Sequence, residues 1–280
     1  MITDATVKNH YWPSGINRPL QPRGTHPTEF LRSSGHAVLT SALALLLAFP
    51  LSGVPTAHAD TGVEGASVFL DPGHNAINDA SITRQVPNGR GGTKDCQTSG
   101  TSTNDGFPEH TFNWDVVLRI QGALNARGVR TELSRSSDSG FGPCVDERAA
   151  EANAMHPDAI VSIHADGGPD WGRGFHVNYS APPLNDVQGT TSVELAQIMR
   201  DTLQADGLLE SDYIGSNGLF GRGDLAGLNL ANYPAVLVEL GNMRNPDDAG
   251  LMESEAGEAA YANAVVDGIV AFLKQRPPQS

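Results

Sequence analysis

The chain has 280 residues, enough for one large domain or two small ones. Four of its 18 basic residues and two of its 32 acidic residues precede Asp60, so the remainder has 14 basic and 30 acidic residues and a net charge of −16. Such an acidic chain argues against nucleic acid and against anionic lipid as partners, because binding to either requires lysine and arginine. A polymeric substrate would instead be bound through its shape and its hydrogen bonds.

The first 59 residues have the pattern of an export leader. Residues 37–54 are uncharged and mostly apolar, they follow Arg32, and they precede a small-x-small sequence that ends at Ala59. The pattern predicts an N-terminal extension and signal peptide over 1–59, an exported protein in the periplasm, cell wall or extracellular space, and a single domain over 60–280. An uncleaved membrane anchor is the alternative; after cleavage we expect no stable association with a membrane.

From Asp60 onward, short apolar strands alternate with helices. Strands are predicted over residues 67–70, 130–134, 159–163, 174–179 and 235–240. Helices are predicted over 145–155, 190–205 and 257–275, after an earlier one whose Phe112, Val116, Ile120 and Leu124 share a face and which stops by Gly128. This alternation predicts an α/β fold: a single domain with a mainly parallel, twisted sheet and helices on both faces.

The two cysteines, Cys96 and Cys144, both lie in the part of the chain predicted to be exported. In an oxidising compartment two cysteines most simply pair with each other, and a loop of this length would stabilise the fold by up to about 4 kcal/mol. Two free, buried thiols are the alternative.

Titratable side chains stand at or just beyond the ends of three predicted strands. His74 follows the first strand, His164 ends the third and Glu239 ends the fifth. Glu109 begins the first helix, where a carboxylate also gains from the helix dipole. Because the carboxyl ends of parallel strands meet at one edge of a sheet, these side chains are expected to converge there. Each has an ordinary structural explanation by itself, but together they favour a bound cation.

Two imidazoles and a carboxylate with one open coordination position are typical of a catalytic zinc site. A further carboxylate could then accept a proton from the attacking water and return it to a leaving amine. The candidate ligands are far apart in sequence and the chain contains no HExxH motif. The residues alone therefore leave open both a zinc hydrolase and ordinary structural roles for these side chains.

Four segments carry a more specific signal. FLDPGH, the helix-leading Glu109, SIHAD and PAVLVELGN resemble, in order and spacing, the zinc-dependent N-acetylmuramoyl-L-alanine amidases of the amidase-3 family. The resemblance covers residues 66–273 and is greatest to small secreted mycobacterial members without a wall-binding domain. It implies a single zinc ion held by His74, Glu109 and His164, with Glu239 as the catalytic acid and base.

The resemblance also implies a substrate and a disulfide. The substrate would be peptidoglycan or its muropeptide fragments, cleaved at the amide between N-acetylmuramic acid and L-alanine. The disulfide would join Cys96 to Cys144 and tie a hairpin close to the site. Two alternatives are a peptidoglycan-binding or partner-regulating protein that has lost the chemistry, and another zinc amide hydrolase such as a carboxypeptidase or a sugar deacetylase. We expect a monomer.

Other polar residues near these segments are given structural roles. His110 is expected to be a surface residue or to support the site without touching the metal, and His156 and His176 are expected to lie on the surface. Arg148 and Asn153 match a pattern frequent in the family, and we expect them to hold the edge of the sheet together.

Overall fold

Eight strands and seven α-helices make up the part of the chain that the computed structural model describes, residues 62–276. The predicted signal peptide and its predicted cleavage site after Ala59 lie outside the described residues. The strands are β1 Ser67–Pro72, β2 Gln85–Pro87, β3 Thr93–Asp95, β4 Arg130–Leu133, β5 Ala159–Asp166, β6 His176–Ser180, β7 Leu219–Arg222 and β8 Ala235–Asn242. The helices are α1 Glu109–Asn125, α2 Val145–Met155, α3 Asp186–Gly189, α4 Thr191–Ala205, α5 Ala226–Asn229, α6 Pro246–Met252 and α7 Glu255–Lys274.

Six strands form one sheet in the order β4-β1-β5-β8-β6-β7, and β2 and β3 form a separate hairpin. All neighbours in the large sheet are parallel except β6 and β8. The connection from β5 to β6, residues 167–175, is too short for the helical crossover that a parallel return needs, and β6 accordingly runs in the opposite direction. The prediction of a mainly parallel sheet is confirmed, with this one reversal.

Helices cover both faces of the sheet, as predicted. On one face α1, α4 and α7 pack over a large apolar core that includes Val161 and Val238. On the other face α2 and α5 cover a smaller cluster that includes Phe69, Ile160 and Leu237. Side chains alternate between the two faces along each strand. A residue two positions before or after Phe69, Ile160 or Leu237 in its strand therefore also points toward α2 and α5.

The last helix, α7, is long and apolar enough by composition to cross a membrane, and it is the one such helix among the described residues. Its apolar side chains, including Val265, Ile269 and Phe272, are buried in the core against α1 and α4. The apolar character of α7 is therefore that of a core helix.

Most predicted elements match the observed ones to within a few residues. The first helix ends at Asn125, and Gly128 lies in the turn that follows, with φ of +78°. Strands β2, β3 and β7 are not among the predicted elements. Each has only three or four residues, and the TKD of β3 has no apolar side chain at all, so hydrophobic periodicity gives no signal there.

The disulfide between Cys96 and Cys144 is present in the structure. Cys96 directly follows β3, and Cys144 is the N-cap of α2. Both cysteines are buried and pack with Val86 of β2. The disulfide therefore fastens the hairpin of β2 and β3 to the start of α2.

Candidate metal centre

The turn after β1 places His74 beside the end of β5. Gly73 lies so close to His164 that a Cβ built on it would be 2.2 Å from the Cε1 atom of that histidine, so no other residue fits there without displacing the imidazole. His74 itself has φ of +63°, in the left-handed region that non-glycine residues seldom adopt. Such strain persists where the surrounding structure enforces it, which is frequent at functional sites.

His74, Glu109 and His164 come together as the sequence predicts. Each offers a ligand atom, and these atoms all lie within 4.8 Å of one another. The Oε1 atom of Glu109 is 3.0 Å from Nε2 of His74 and 3.0 Å from Nδ1 of His164. Two imidazoles and one carboxylate are one of the ligand sets found in hydrolytic zinc sites.

Backbone amides orient the carboxylate of Glu109. Its Oε2 accepts a hydrogen bond of 2.9 Å from the amide of Thr101, and its Oε1 accepts one of 3.2 Å from the amide of Ala165. Burial by itself raises the pKa of Glu109, but the adjacent imidazoles of His74 and His164 hold that pKa well below its usual range. The carboxylate is thus ionised and fixed in place.

The two histidines differ in their surroundings. The Nδ1 atom of His74 lies 2.8 Å from the carbonyl oxygen of Thr98, so Nδ1 carries a proton and Nε2 is the ring nitrogen that faces Glu109. Burial lowers the pKa of His74, and the charge of Glu109 more than compensates and raises it. The pKa of His164 is lowered, mainly by burial. A neutral imidazole is the form that binds a metal.

Glu239 lies beside this cluster. In the pairing of β5 with β8, Glu239 is the register partner of His164, so the two side chains stand next to each other on the face covered by α2 and α5. The Oε2 atom of Glu239 is buried and has no hydrogen-bond partner among the described residues. Burial, together with the negative charges of Glu109 and Asp166, raises the pKa of Glu239 well above its usual range, while Arg222 acts in the opposite direction.

A cavity of about 230 Å³ opens at the cluster and extends over the sheet face toward α2 and α5. His74, His164 and Glu239 line it at the strand ends. Its walls are mainly apolar and include Phe69, Val145, Ala149, Ala152, Ile160, Leu225, Leu228 and Leu237. A concave apolar cavity with a few convergent polar groups is the usual form of a small-molecule site.

Arg148 of α2 supports the turn that carries His74. Its guanidinium donates hydrogen bonds to Asp71 at 2.5 Å and to the carbonyl oxygens of Pro72 and His74 at 2.9 Å each. Burial raises the pKa of Asp71, but Arg148, Ser134 and Ser162 lower it below its usual range. Arg148 thus has a structural role, as expected, but it holds the end of β1, which is the second strand of the sheet and not its edge strand.

Replacing Arg148 by Met is expected to destabilise the protein by about 3–5 kcal/mol, because Asp71 would remain as a buried charge without its partner. Denaturant unfolding of the two proteins measures the difference. Arg130→Met is the matched control, since Arg130 forms an exposed pair with Glu132. That change is expected to cost at most about 1 kcal/mol. Equal effects of the two substitutions would contradict the role given to Arg148.

The remaining histidines are only partly as predicted. His156 is exposed and contacts Tyr233, as expected. His110 lies 2.8 Å from Asp138 and is not part of the metal cluster. The prediction that His176 lies on the surface is wrong: it is 1% exposed. His176 is the register partner of Glu239 in β6 and β8, so its side chain extends the row of His164 and Glu239 on the covered face.

His176 should make the stability of the protein depend on pH. Burial lowers the pKa of His176 to about 4, although the negative charge of Asp166 by itself raises that pKa. Between that value and the unfolded value of about 6.5, the unfolded chain binds a proton that the folded protein does not, so stability is lost as the pH falls. Between about pH 7.5 and about pH 5 the loss is expected to be about 2 kcal/mol.

His176→Gln removes this titration. Denaturant unfolding at the two pH values should show a smaller loss of stability in the variant than in the wild type, by that amount. An identical pH dependence in both proteins would show that the imidazole is not held neutral.

The fold and the site together define a class of protein: an α/β domain with a mainly parallel sheet and a histidine-glutamate-histidine cluster at the ends of its strands. The amidase-3 family, described as N-acetylmuramoyl-L-alanine amidase, matches residues 68–271 of the chain. The chain therefore belongs to the N-acetylmuramoyl-L-alanine amidase family.

Individual proteins of this family are similar over most of the described residues. The N-acetylmuramoyl-L-alanine amidase Rv3717 of Mycobacterium tuberculosis is 66% identical over 211 residues, which cover 75% of this chain and 88% of that protein. The crystal structure of the amidase Ami1 from Mycobacterium smegmatis superposes with a TM-score of 0.76 at 61% identity, covering 76% of this chain and 99% of that chain. Apo Ami1 from Mycobacterium abscessus gives a TM-score of 0.75 at 60% identity, covering 75% of this chain and 100% of that chain.

Proposed function

We propose that this protein is a zinc-dependent peptidoglycan amidase that cleaves the bond between N-acetylmuramic acid and the L-alanine of the stem peptide. Membership of the family supports the reaction, and the cluster of His74, Glu109 and His164 beside Glu239 supports the use of a metal. The similar proteins are named as N-acetylmuramoyl-L-alanine amidases, including one from Mycobacterium tuberculosis. An exported location at the cell wall follows from the substrate.

The residues present fit a zinc ion. The donor set is two imidazoles and one buried carboxylate, and the hydrogen bond from Nδ1 of His74 to Thr98 directs Nε2 of His74 toward the cluster, where a metal would replace its proton. A bound zinc ion would supply Lewis-acid polarisation of the amide carbonyl and would lower the pKa of water. Within the cluster, His74, Glu109 and His164 would be its ligands.

Glu239 would move the protons of the reaction. Its carboxylate would accept a proton from the attacking water and then donate it to the nitrogen of L-alanine as the amide bond breaks. The Oε2 atom of Glu239 is suited to this task, because it is buried next to His164 and no described residue occupies its hydrogen-bonding capacity. The pKa of Glu239 would fall once a divalent cation compensates the negative charge of Glu109, so that Glu239 could begin as a base.

The experiment that tests this function measures zinc content and product release together on the purified protein. Metal analysis should find zinc bound, and mass spectrometry of digested peptidoglycan should find free stem peptides that begin with L-alanine. Removal of the metal with a chelator should stop the release, and added zinc should restore it. Bound zinc without any cleavage would contradict the proposal and favour the peptidoglycan-binding alternative.

A further inference from the structure

One wall of the site cavity carries a lysine that the proposed reaction does not use. Lys94 of β3 lines the same cavity as His74, His164 and Glu239. It is the register partner of Val86 in the antiparallel pairing of β2 and β3, so both side chains lie on the same face of the hairpin. Val86 is buried against the disulfide. The face that carries Lys94 is therefore turned toward the body of the domain.

The hairpin that presents Lys94 is fastened at its turn as well as at the disulfide. Arg90, in the turn, donates hydrogen bonds to Asn229 at 3.1 Å, to Ser180 at 3.1 Å and to the carbonyl oxygen of Pro182 at 2.6 Å. These contacts join the hairpin to α5 and to the end of β6. The backbone that carries Lys94 is thus held in place before any substrate binds, which reduces the entropic cost of using this residue in recognition.

Charged groups of both signs surround Lys94. Lys94 interacts electrostatically with Asp224, Arg222 and Asp95. Asp224 is already engaged by the guanidinium of Arg222 through two contacts. Arg222 also interacts electrostatically with Glu239. Because the carboxylate of Asp224 is engaged by Arg222, it leaves the ammonium group of Lys94 available to an anion in the cavity.

The ammonium group of Lys94 retains hydrogen-bonding capacity. Its Nζ donates one hydrogen bond, of 3.1 Å, to the carbonyl oxygen of Asp224, and it forms no ion pair with a described residue. An ammonium has three donors. By contrast, the other permanent cation in the cavity lining, Arg148, is fully occupied by Asp71 and by backbone carbonyls. Lys94 is therefore the cationic side chain of the cavity that a ligand could use.

We propose that Lys94 binds the free carboxylate of the second residue of the stem peptide and makes the enzyme prefer substrates in which this carboxylate is not amidated. This inference rests on the proposed amidase function. In stem peptides the second residue is D-glutamate linked through its side chain, so its α-carboxyl group is the first charge beyond the scissile amide. That group occurs either as a carboxylate or as a neutral carboxamide, and only the carboxylate gains a charge-assisted hydrogen bond from an ammonium.

The test compares two muropeptides that differ only in this group, one with D-isoglutamate and one with D-isoglutamine, on the zinc-loaded protein. We expect kcat/KM to be about tenfold higher for the carboxylate, as a partly exposed charge-assisted hydrogen bond would give. In Lys94→Met the ratio should fall to about one, and in Lys94→Arg a preference for the carboxylate should remain. Lys274→Met, at the end of α7, is the matched control and should keep the wild-type ratio.

Two results would overturn the role of Lys94: equal kcat/KM for the two substrates in the wild type, or an unchanged ratio in Lys94→Met. Cleavage of neither substrate would instead contradict the proposed function. In that case, calorimetric affinities of the wild type and Lys94→Met for L-alanyl-D-isoglutamate and L-alanyl-D-isoglutamine still decide the inference. The same preference, and its loss in the variant, are expected there.

Discussion

Replacing Glu239 by Gln is expected to lower the rate of amide cleavage by about 10³–10⁴-fold while zinc remains bound. Glutamine has nearly the same shape as glutamate but cannot accept or donate the proton that the reaction needs. General acid and base catalysis by a positioned side chain contributes about 10²–10⁴-fold, and here one residue would serve in both proton transfers. The three candidate ligands are other residues, so metal content should not change.

Single-turnover release of stem peptide and metal analysis, made on the same protein samples, separate these two effects. Glu132→Gln is the matched control, because Glu132 is a strand glutamate of β4 that pairs with Arg130 at the surface. It should leave both the rate and the zinc content unchanged. A near-normal rate in Glu239→Gln would show that another group moves the protons, and loss of zinc would show that Glu239 is a ligand.

The sheet and its covering helices are predictable from the sequence because their signals are local. Apolar runs such as 159–163 and 235–240 are buried on both faces and read as strands without any knowledge of their partners. The hairpin of β2 and β3 has no such signal. It is held by the disulfide and by hydrogen bonds from Arg90 to residues that are 90 or more positions away in the sequence. No local sequence pattern reveals such contacts.

The candidate site is predictable to the extent that strand ends define it. His74, His164 and Glu239 stand out because titratable residues end or follow apolar strands, and the carboxyl ends of parallel strands share one edge. Glu109 has only a weak signal of its own, since an acidic residue in the first turn of a helix is ordinary. Its place in the site became predictable through the family resemblance.

Residues that orient the ligands could not be predicted in this way. Thr98 orients His74 through its backbone carbonyl, and Thr101 orients Glu109 through its backbone amide, so their side-chain identities carry no signal. The burial of His176 depends on the reversal of β6, which brings it beside Glu239. The sequence of β6 alone does not specify which strand will pair with it.

Replacing His164 by Ala is expected to remove the metal and, with it, the activity. His164 would supply one of three protein ligands, and Glu109 would lose the imidazole that lies 3.0 Å from its Oε1 atom. Loss of a residue that merely supports a ligand costs about 10–100-fold in metal affinity, so loss of a ligand should cost more than about 100-fold. Titration with zinc in the presence of a competing chelator measures the affinity directly.

The matched control for this experiment is His156→Ala. His156 is exposed, contacts Tyr233, and lies outside the cluster of His74, Glu109 and His164. Its removal should change neither the zinc affinity nor the release of stem peptides. Unchanged zinc affinity in His164→Ala would exclude this histidine as a ligand. Because Glu239→Gln is expected to keep the metal and His164→Ala to lose it, the pair of variants separates proton transfer from metal binding within one row of neighbouring side chains.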